Sequence, residues 1–304
     1  MRAAAIDIGT NSVLLLIAEV HDETTAIVER ATITRLGQGV DAHGVLAPEA
    51  VARTEVCLRD YAQEIARHDV ERMAVVATSA ARDARDGADF LERARAILGV
   101  VPEVLSGARE AELTFEGALM GLAPVGEPVA VFDIGGGSTE IIVGTRAKIE
   151  RAKSLDIGAV RLTERHVRDD PPSTLERREV REAVDRALRD APDITGLPIV
   201  GVAGTVTTLA AVSLEVSPYD PARIHGAVIE STEIDRVVDW LASMTLAERR
   251  KLTALDPYRA DVIVTGGIIV QAIASAAEAR SLVVSDRGVR WGLIRSLANP
   301  TSSP

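Results

Sequence analysis

Cysteine is all but missing from this 304-residue chain. Cys57 stands alone, so no intrachain disulfide can form. No Cys/His spacing of a zinc site occurs either. Aromatic residues make up only 3%, which leaves the core to Leu, Val, Ile and Ala. Positive charge is short as well. The formal net charge is −11, and this argues against a nucleic-acid binder that works by broad phosphate neutralisation. A phosphate substrate stays open, because backbone N–H groups and a metal ion bind phosphate without overall positive charge. Long apolar runs are lacking too. The longest, "VIVTGGIIVQAIASAA", is interrupted by Gln271 and is short for a bilayer span of ~20 residues. The N-terminal apolar stretch breaks at Asp7, unlike a secretory leader. The expectation is a soluble, cytoplasmic protein with neither a nucleic-acid nor a membrane partner.

What the chain does have is length for about two domains and one plan used twice. In "AAAIDIGTNSVLLLIAEV" an apolar run ends at Asp7, turns through Gly9, Thr10, Asn11 and Ser12, and resumes. In "VAVFDIGGGSTEIIVG" the same happens at Asp133, Gly135, Gly136, Gly137, Ser138 and Thr139. The two aspartates lie about one domain length apart, so an internal duplication is the natural reading. Strand-like runs alternate with helical patterns elsewhere, which indicates α/β layers. Pro48 opens an amphipathic helix with Val51, Thr54, Leu58, Tyr61 and Ile65 in one stripe, and Cys57 reads as a packed residue beside it. "ERMAVVATSAARDARDG" reads as a buried strand ending in a Thr–Ser turn that carries Arg82. Two capping boxes, Ser173 with Glu176 and Thr245 with Glu248, open later helices.

A glycine turn leaves backbone N–H groups exposed, and successive N–H groups form a concave anion site. Ser and Thr hydroxyls add donors. A ligand-free hairpin explains either turn alone; two copies, each headed by an aspartate, favour a ligand site. A carboxylate beside phosphate is repelled unless a cation lies between them. Mg²⁺ is held by one or two carboxylates plus phosphate and water, so Asp7 and Asp133 read as its partners, with an Asx-type cap as the plainer alternative. "GVAGTVTTL" places Gly204 and Thr205 between a strand and a helix, where free N–H groups bind anions. Arg82 reads as a phosphate clamp or a surface ion pair.

The ordered set "IDIGTNS", "ATSAARDA", "SGAREAEL", "FDIGGGSTE", "SLDIGAVRLTE", "GVAGTVTTLAA", His225–Gly226, "RADVIVTGG" and "SDRGVRWGL" resembles the exopolyphosphatase / guanosine pentaphosphate phosphohydrolase (Ppx/GppA) family over nearly the whole chain. The resemblance implies an α/β protein of two related domains, of the actin-like ATPase, sugar kinase and chaperone ATPase superfamily (ribonuclease H-like), with the active site in the interdomain cleft. It assigns 1–123 with 288–304 to the first domain and 124–287 to the second. It implies attack of water on the terminal phosphoryl group of polyphosphate or of pppGpp with Mg²⁺, Mn²⁺ being a substitute. The matching catalytic carboxylates are Glu110 and Glu140. Pattern alone leaves Glu112 and Glu116 level with Glu110, which sits on the polar side of its helix.

Two departures bear on substrate. Many members have a second acid where this chain has Arg109, which offers a positive charge near the substrate instead. Long members carry a further helical region, whereas this sequence ends soon after the last motif, so short polyphosphate is the expectation. Conversion of pppGpp to ppGpp is the alternative within the class. A kinase or ATPase of the same superfamily and a non-catalytic polyphosphate or alarmone sensor are the alternatives outside it. A homodimer is admitted, though the sequence does not fix one. His225 reads equally as a substrate contact or a structural hydrogen bond, and Arg259 as an ion pair with Asp261. Gly266–Gly267 reads as close helix packing or another turn.

Overall fold

The computed structural model describes residues 1–21 and 23–298. The chain divides into two units, Met1–Gly117 with the chain from Val289 onward, and Ala118–Gly288. Of the expected domain assignment, residues 299–304 lie outside the described residues.

The first unit is a five-stranded sheet in the order β3-β2-β1-β4-β5. Its strands are β1 (Arg2–Ile8), β2 (Ser12–Val20), β3 (Thr24–Ile33), β4 (Arg72–Ala77) and β5 (Glu103–Val104). The first three form an antiparallel meander, and β4 runs parallel to β1. Central β1 is closed to solvent through Ala3, Ala4, Ala5 and Ile6, because helices cover the sheet. Helix Val289–Ala298 packs on β1 and β2, and helix Pro48–Ala66 packs on β2 and on helix Gly87–Leu98. Pro48 is at the first helical position, where its missing N–H is no loss. Val51, Thr54, Leu58 and Tyr61 form the buried stripe with Cys57 beside them. Arg82 is on a short helix, Ser79–Asp83, where the sequence suggested a turn.

The second unit repeats the plan in a six-stranded sheet of order β10-β11-β9-β6-β7-β8. Its strands are β6 (Val129–Ile134), β7 (Thr139–Thr145), β8 (Lys148–Leu155), β9 (Ile199–Val202), β10 (Val228–Glu230) and β11 (Ser281–Val284). Again three antiparallel strands lead, and β9 and β11 join in parallel. Only β10 is extra, antiparallel at the far edge. The common core of the two sheets is thus one α/β plan used twice.

The apolar run near residue 270 is the central helix of this unit, Ile263–Ala276, packed against helices Ser231–Ala242, Thr174–Leu188, Ala159–His166 and Ala203–Ser213. It is apolar all round because it is buried all round. Gly266 and Gly267 are close-packing positions rather than a turn. A Cβ at Gly266 would meet Thr205 Cγ2 at 2.6 Å, and one at Gly267 would meet Val238 Cγ2 at 2.6 Å. Both capping boxes are formed. Among the described residues, no helix is long and apolar enough to cross a membrane.

Candidate active site

In the first unit the β1–β2 turn is closed by one hydrogen bond, Gly9 N–H donating to Ser12 O at 3.0 Å. The turn is gripped from behind. Asn11 O accepts from the N–H groups of Thr34 and Arg35, and Thr10 O accepts from Gly37. With their carbonyls held inward, Thr10 and Asn11 are buried, while Asp7 at the head of the turn is half-buried. Gly9 is needed here, since a Cβ would meet Ser12 O at 3.0 Å.

The parallel register Ile8↔Ala77 makes the segment after β4 leave the sheet beside this turn. The register Ala77↔Val104 does the same for the segment after β5. Asp7, Thr10, Asn11, Arg82 and Glu110 therefore share the carboxyl-terminal edge of one sheet, where α/β proteins place ligands. Arg82 Nη1 donates to Leu105 O at 2.8 Å and to Glu110 Oε2 at 3.3 Å. Glu110 lies in the first turn of helix Gly107–Ala118 and is 7% exposed. Glu112 and Glu116, its equals by pattern, are both exposed. Arg109 turns away to Glu112, its Nη1 donating to Oε2 at 2.9 Å on the solvent side. It belongs to a surface pair.

The second unit's turn has the same closure: Gly135 N–H donates to Ser138 O at 3.0 Å. Here the support comes from the start of helix Ala159–His166. The N–H of Ala159 donates to Gly135 O, those of Val160 and Arg161 to Gly136 O, and Arg161 Nε to Gly137 O at 2.7 Å. The glycine carbonyls are thus turned toward the helix. The N–H groups of Gly136 and Gly137 make no backbone hydrogen bond among the described residues, which leaves them as donors for an anion. Asp133 and Glu140 are direct register partners across the hairpin, so both carboxylates stand on one face. Glu140 is 1% exposed and accepts from Ser154 Oγ at 2.7 Å. Ser138 is buried. Thr139 is fully buried, and its hydroxyl donates to Ile157 O at 2.6 Å, so the structure gives it a bond inside the unit.

Strands β6, β9 and β11 run parallel, so their carboxyl ends open at one edge. The edge gathers the glycine turn, Gly204–Thr205 and residues 285–288. His225 joins them because antiparallel β10 begins there, with Val228 opposite Val283. Gly204 lets the Arg259 guanidinium lie against its main chain; a Cβ would meet Nη2 at 2.6 Å. Arg259 is thus seated on Gly204. Burial pulls its pKa below the ordinary arginine value, against the nearby charges of Asp256 and Tyr219. His225 Nδ1 faces Asp286 Oδ1 at 3.1 Å.

Ser154, Gly158, Arg161 and Asp286 were not singled out from sequence. Gly158 is the tightest of them. A Cβ there would lie 2.5 Å from the Gly136 carbonyl carbon and 2.6 Å from that of Gly137. "SLDIGAVR" contains Ser154, Gly158 and Arg161, but only the fold shows that it backs the glycine turn. No cluster of three or more His, Cys, Asp or Glu that could hold a metal ion occurs among the described residues. A Mg²⁺ ion bound by one or two carboxylates together with phosphate and water needs no such cluster.

The model of the Ppx/GppA phosphatase family matches residues 16–300. The chain is 43% identical over 315 residues to exopolyphosphatase 2 of Mycobacterium tuberculosis, covering 98% of each. A solved exopolyphosphatase-like protein superposes with a TM-score of 0.94 at 34% identity, over 99% of this chain and 100% of that one. The Aquifex aeolicus Ppx/GppA family member gives 0.83 at 37%, over 100% and 99%. With both units built around the turns that the motifs describe, this chain belongs to the Ppx/GppA phosphatase family.

Proposed function

We propose that this protein is an exopolyphosphatase that removes the terminal phosphoryl group of inorganic polyphosphate, short chains in preference, by direct attack of water. The family and its exopolyphosphatase relatives support hydrolysis of a phosphoric anhydride. Phosphoryl transfer asks for three things: positioning, neutralisation of charge, and a group to orient the nucleophile. The N–H groups of Gly136 and Gly137 supply positioning, as do Thr10 and Asn11 in the first unit. Arg82 supplies a forked cation already fixed at Leu105 O. Glu110 and Glu140 orient water and accept its proton. The water oxygen bonds to the terminal phosphorus, the bridging oxygen leaves with the shortened chain, and the proton passes to a carboxylate.

The donor set suits a divalent magnesium ion. Like charges directly opposite across a hairpin are destabilising, and Asp133 with a buried Glu140 is such a pair. A hard cation next to it would offset that repulsion. Asp133 is the residue that would hold it, and Asp7 stands at the matching position of its own unit. When bound, the ion neutralises phosphate charge; Mn²⁺ has the same ligand chemistry.

One observation carries the reading: a glycine turn whose carbonyls are held from behind stands next to an acidic pair, one member of which is buried. The test is phosphate release from polyphosphates of defined length with Mg²⁺ or Mn²⁺, measured beside release from pppGpp and from ATP. Release from short polyphosphate is expected, with slow ATP turnover. A higher rate on pppGpp would make the protein a guanosine pentaphosphate phosphohydrolase. No release while a control enzyme works would overturn the proposal.

A further inference from the structure

His225 is the last residue before the Gly226 turn that leads into β10. Its ring is held on one side only. Nδ1 faces Asp286 Oδ1 at 3.1 Å and Ser285 Oγ at 3.4 Å. The other nitrogen, Nε2, is closed to bulk solvent and has no hydrogen-bond partner among the described residues. A histidine with a purely structural role satisfies both nitrogens, since a buried polar atom left unpaired is destabilising. Here one side is fixed by a carboxylate and the other is buried without a partner.

The surroundings place the ring in the unit. Ser285 is anchored at both ends: its N–H donates to Gly201 O, and its hydroxyl lies 3.3 Å from Arg287 O and 3.2 Å from Arg287 N. Gly226 N–H donates to Val284 O. The 285–288 segment and the His225 turn are therefore locked together. That segment also reaches the acidic pair, since a Cβ on Gly288 would lie 3.8 Å from Asp133 Oδ2. Arg287 Nη1 donates to Met120 O at 3.1 Å. So the unpartnered nitrogen belongs to the same sheet edge as the Gly135–Gly137 turn.

We infer that Asp286 and His225 work as a couple: Asp286 is a positioning residue, and His225 Nε2–H donates to an oxygen of the substrate's phosphate chain. The inference rests on the phosphoanhydride reading above and gives a role to Asp286, which stands in "SDRGVRWGL" but was not singled out there. A phosphate oxygen accepts hydrogen bonds, so Nε2 must present its N–H to it, while the Asp286 carboxylate on the Nδ1 side fixes the ring plane. No proton need move in the chemical step, so the effect falls on binding.

The test combines kinetics on tripolyphosphate with nitrogen NMR of the imidazole in the wild-type protein, using imidotriphosphate as the non-hydrolysed probe. For His225→Ala, KM is expected to rise about tenfold or more, the loss of one hydrogen bond to a charged group, with kcat within about threefold. His225→Gln, which keeps an N–H donor near the Nε2 position, should recover most of the affinity. Asp286→Asn should fall between them. Imidotriphosphate should shift the Nε2 resonance of the wild-type ring. An unchanged KM in His225→Ala, or probe binding that leaves Nε2 unmoved, would overturn the couple. If the wild type bound imidotriphosphate with the Nε2 shift yet hydrolysed no anhydride, the couple would stand and the enzymatic reading would fail.

Discussion

Asp133 and Glu140 face each other as register partners across the β6–β7 hairpin. Asp7, at the matching place in the first unit, has Leu14 as its partner. The two units share the aspartate and the glycine turn, and they differ in what stands opposite. Only the second unit sets two carboxylates side by side, one of them almost wholly buried. A folding unit gains nothing from such a pair, and a phosphate-and-cation site does.

Glu140→Gln should therefore separate stability from activity. The amide keeps the volume and can still accept from Ser154 Oγ, while the like-charge contact disappears. The thermal midpoint is expected to hold or rise, by up to about 1 kcal/mol of stability. Phosphate release should fall about a hundredfold or more. Calorimetry beside a phosphate assay checks both.

Arg82 ties the end of β5 to Glu110 through one nitrogen. Arg82→Ala should lower kcat/KM by about ten- to a hundredfold, the loss of one or two charge-assisted hydrogen bonds. Arg82→Lys should recover little, because an ammonium lacks the planar fork. Steady-state kinetics of the two variants decide this.

Gly158 is the clearest steric test. A methyl group there would press on the main chain of Gly136 and Gly137, and backbone cannot rotate aside as a side chain does. Gly158→Ala should cost about 1–3 kcal/mol of stability and most of the activity. Gly288→Ala is the comparison, because its Cβ would meet Asp133 at an ordinary 3.8 Å. Denaturant melts and phosphate release would show the difference.

Glu176 reports on stability alone. Burial raises its pKa, but the N–H groups of Ser173, Arg168 and Asp169 and the Ser173 hydroxyl outweigh that and hold it down to about 2. A depressed carboxyl stabilises the fold above its unfolded value, 4.5. The contribution is lost as pH falls from there through about 2. Ser173→Ala should cost about 1 kcal/mol at neutral pH and leave phosphate release unchanged. Acid unfolding of this variant, compared with wild type, should show a shallower loss over that range.

Legibility followed the range of the interactions. The paired turns, the capping boxes and the Pro48 helix are local, and their residues announce them. Glu110 is different. The helical wheel puts it on the polar side, yet it is buried, because Arg82 from another helix reaches it. Thr139 looked like a donor for substrate, but Ile157, eighteen residues on, takes its hydroxyl. Gly158 and Asp286 matter through contacts with Gly136 and His225 that no periodicity encodes. The same holds for Arg259, which rests on Gly204.

The most direct test is the rate of inorganic phosphate release from a polyphosphate of defined length with Mg²⁺, for wild type and Glu110→Gln. Wild type should release phosphate from chain ends, and the variant should be at least about a hundredfold slower with an unaltered melting curve. Near-normal release by the folded variant would contradict the account.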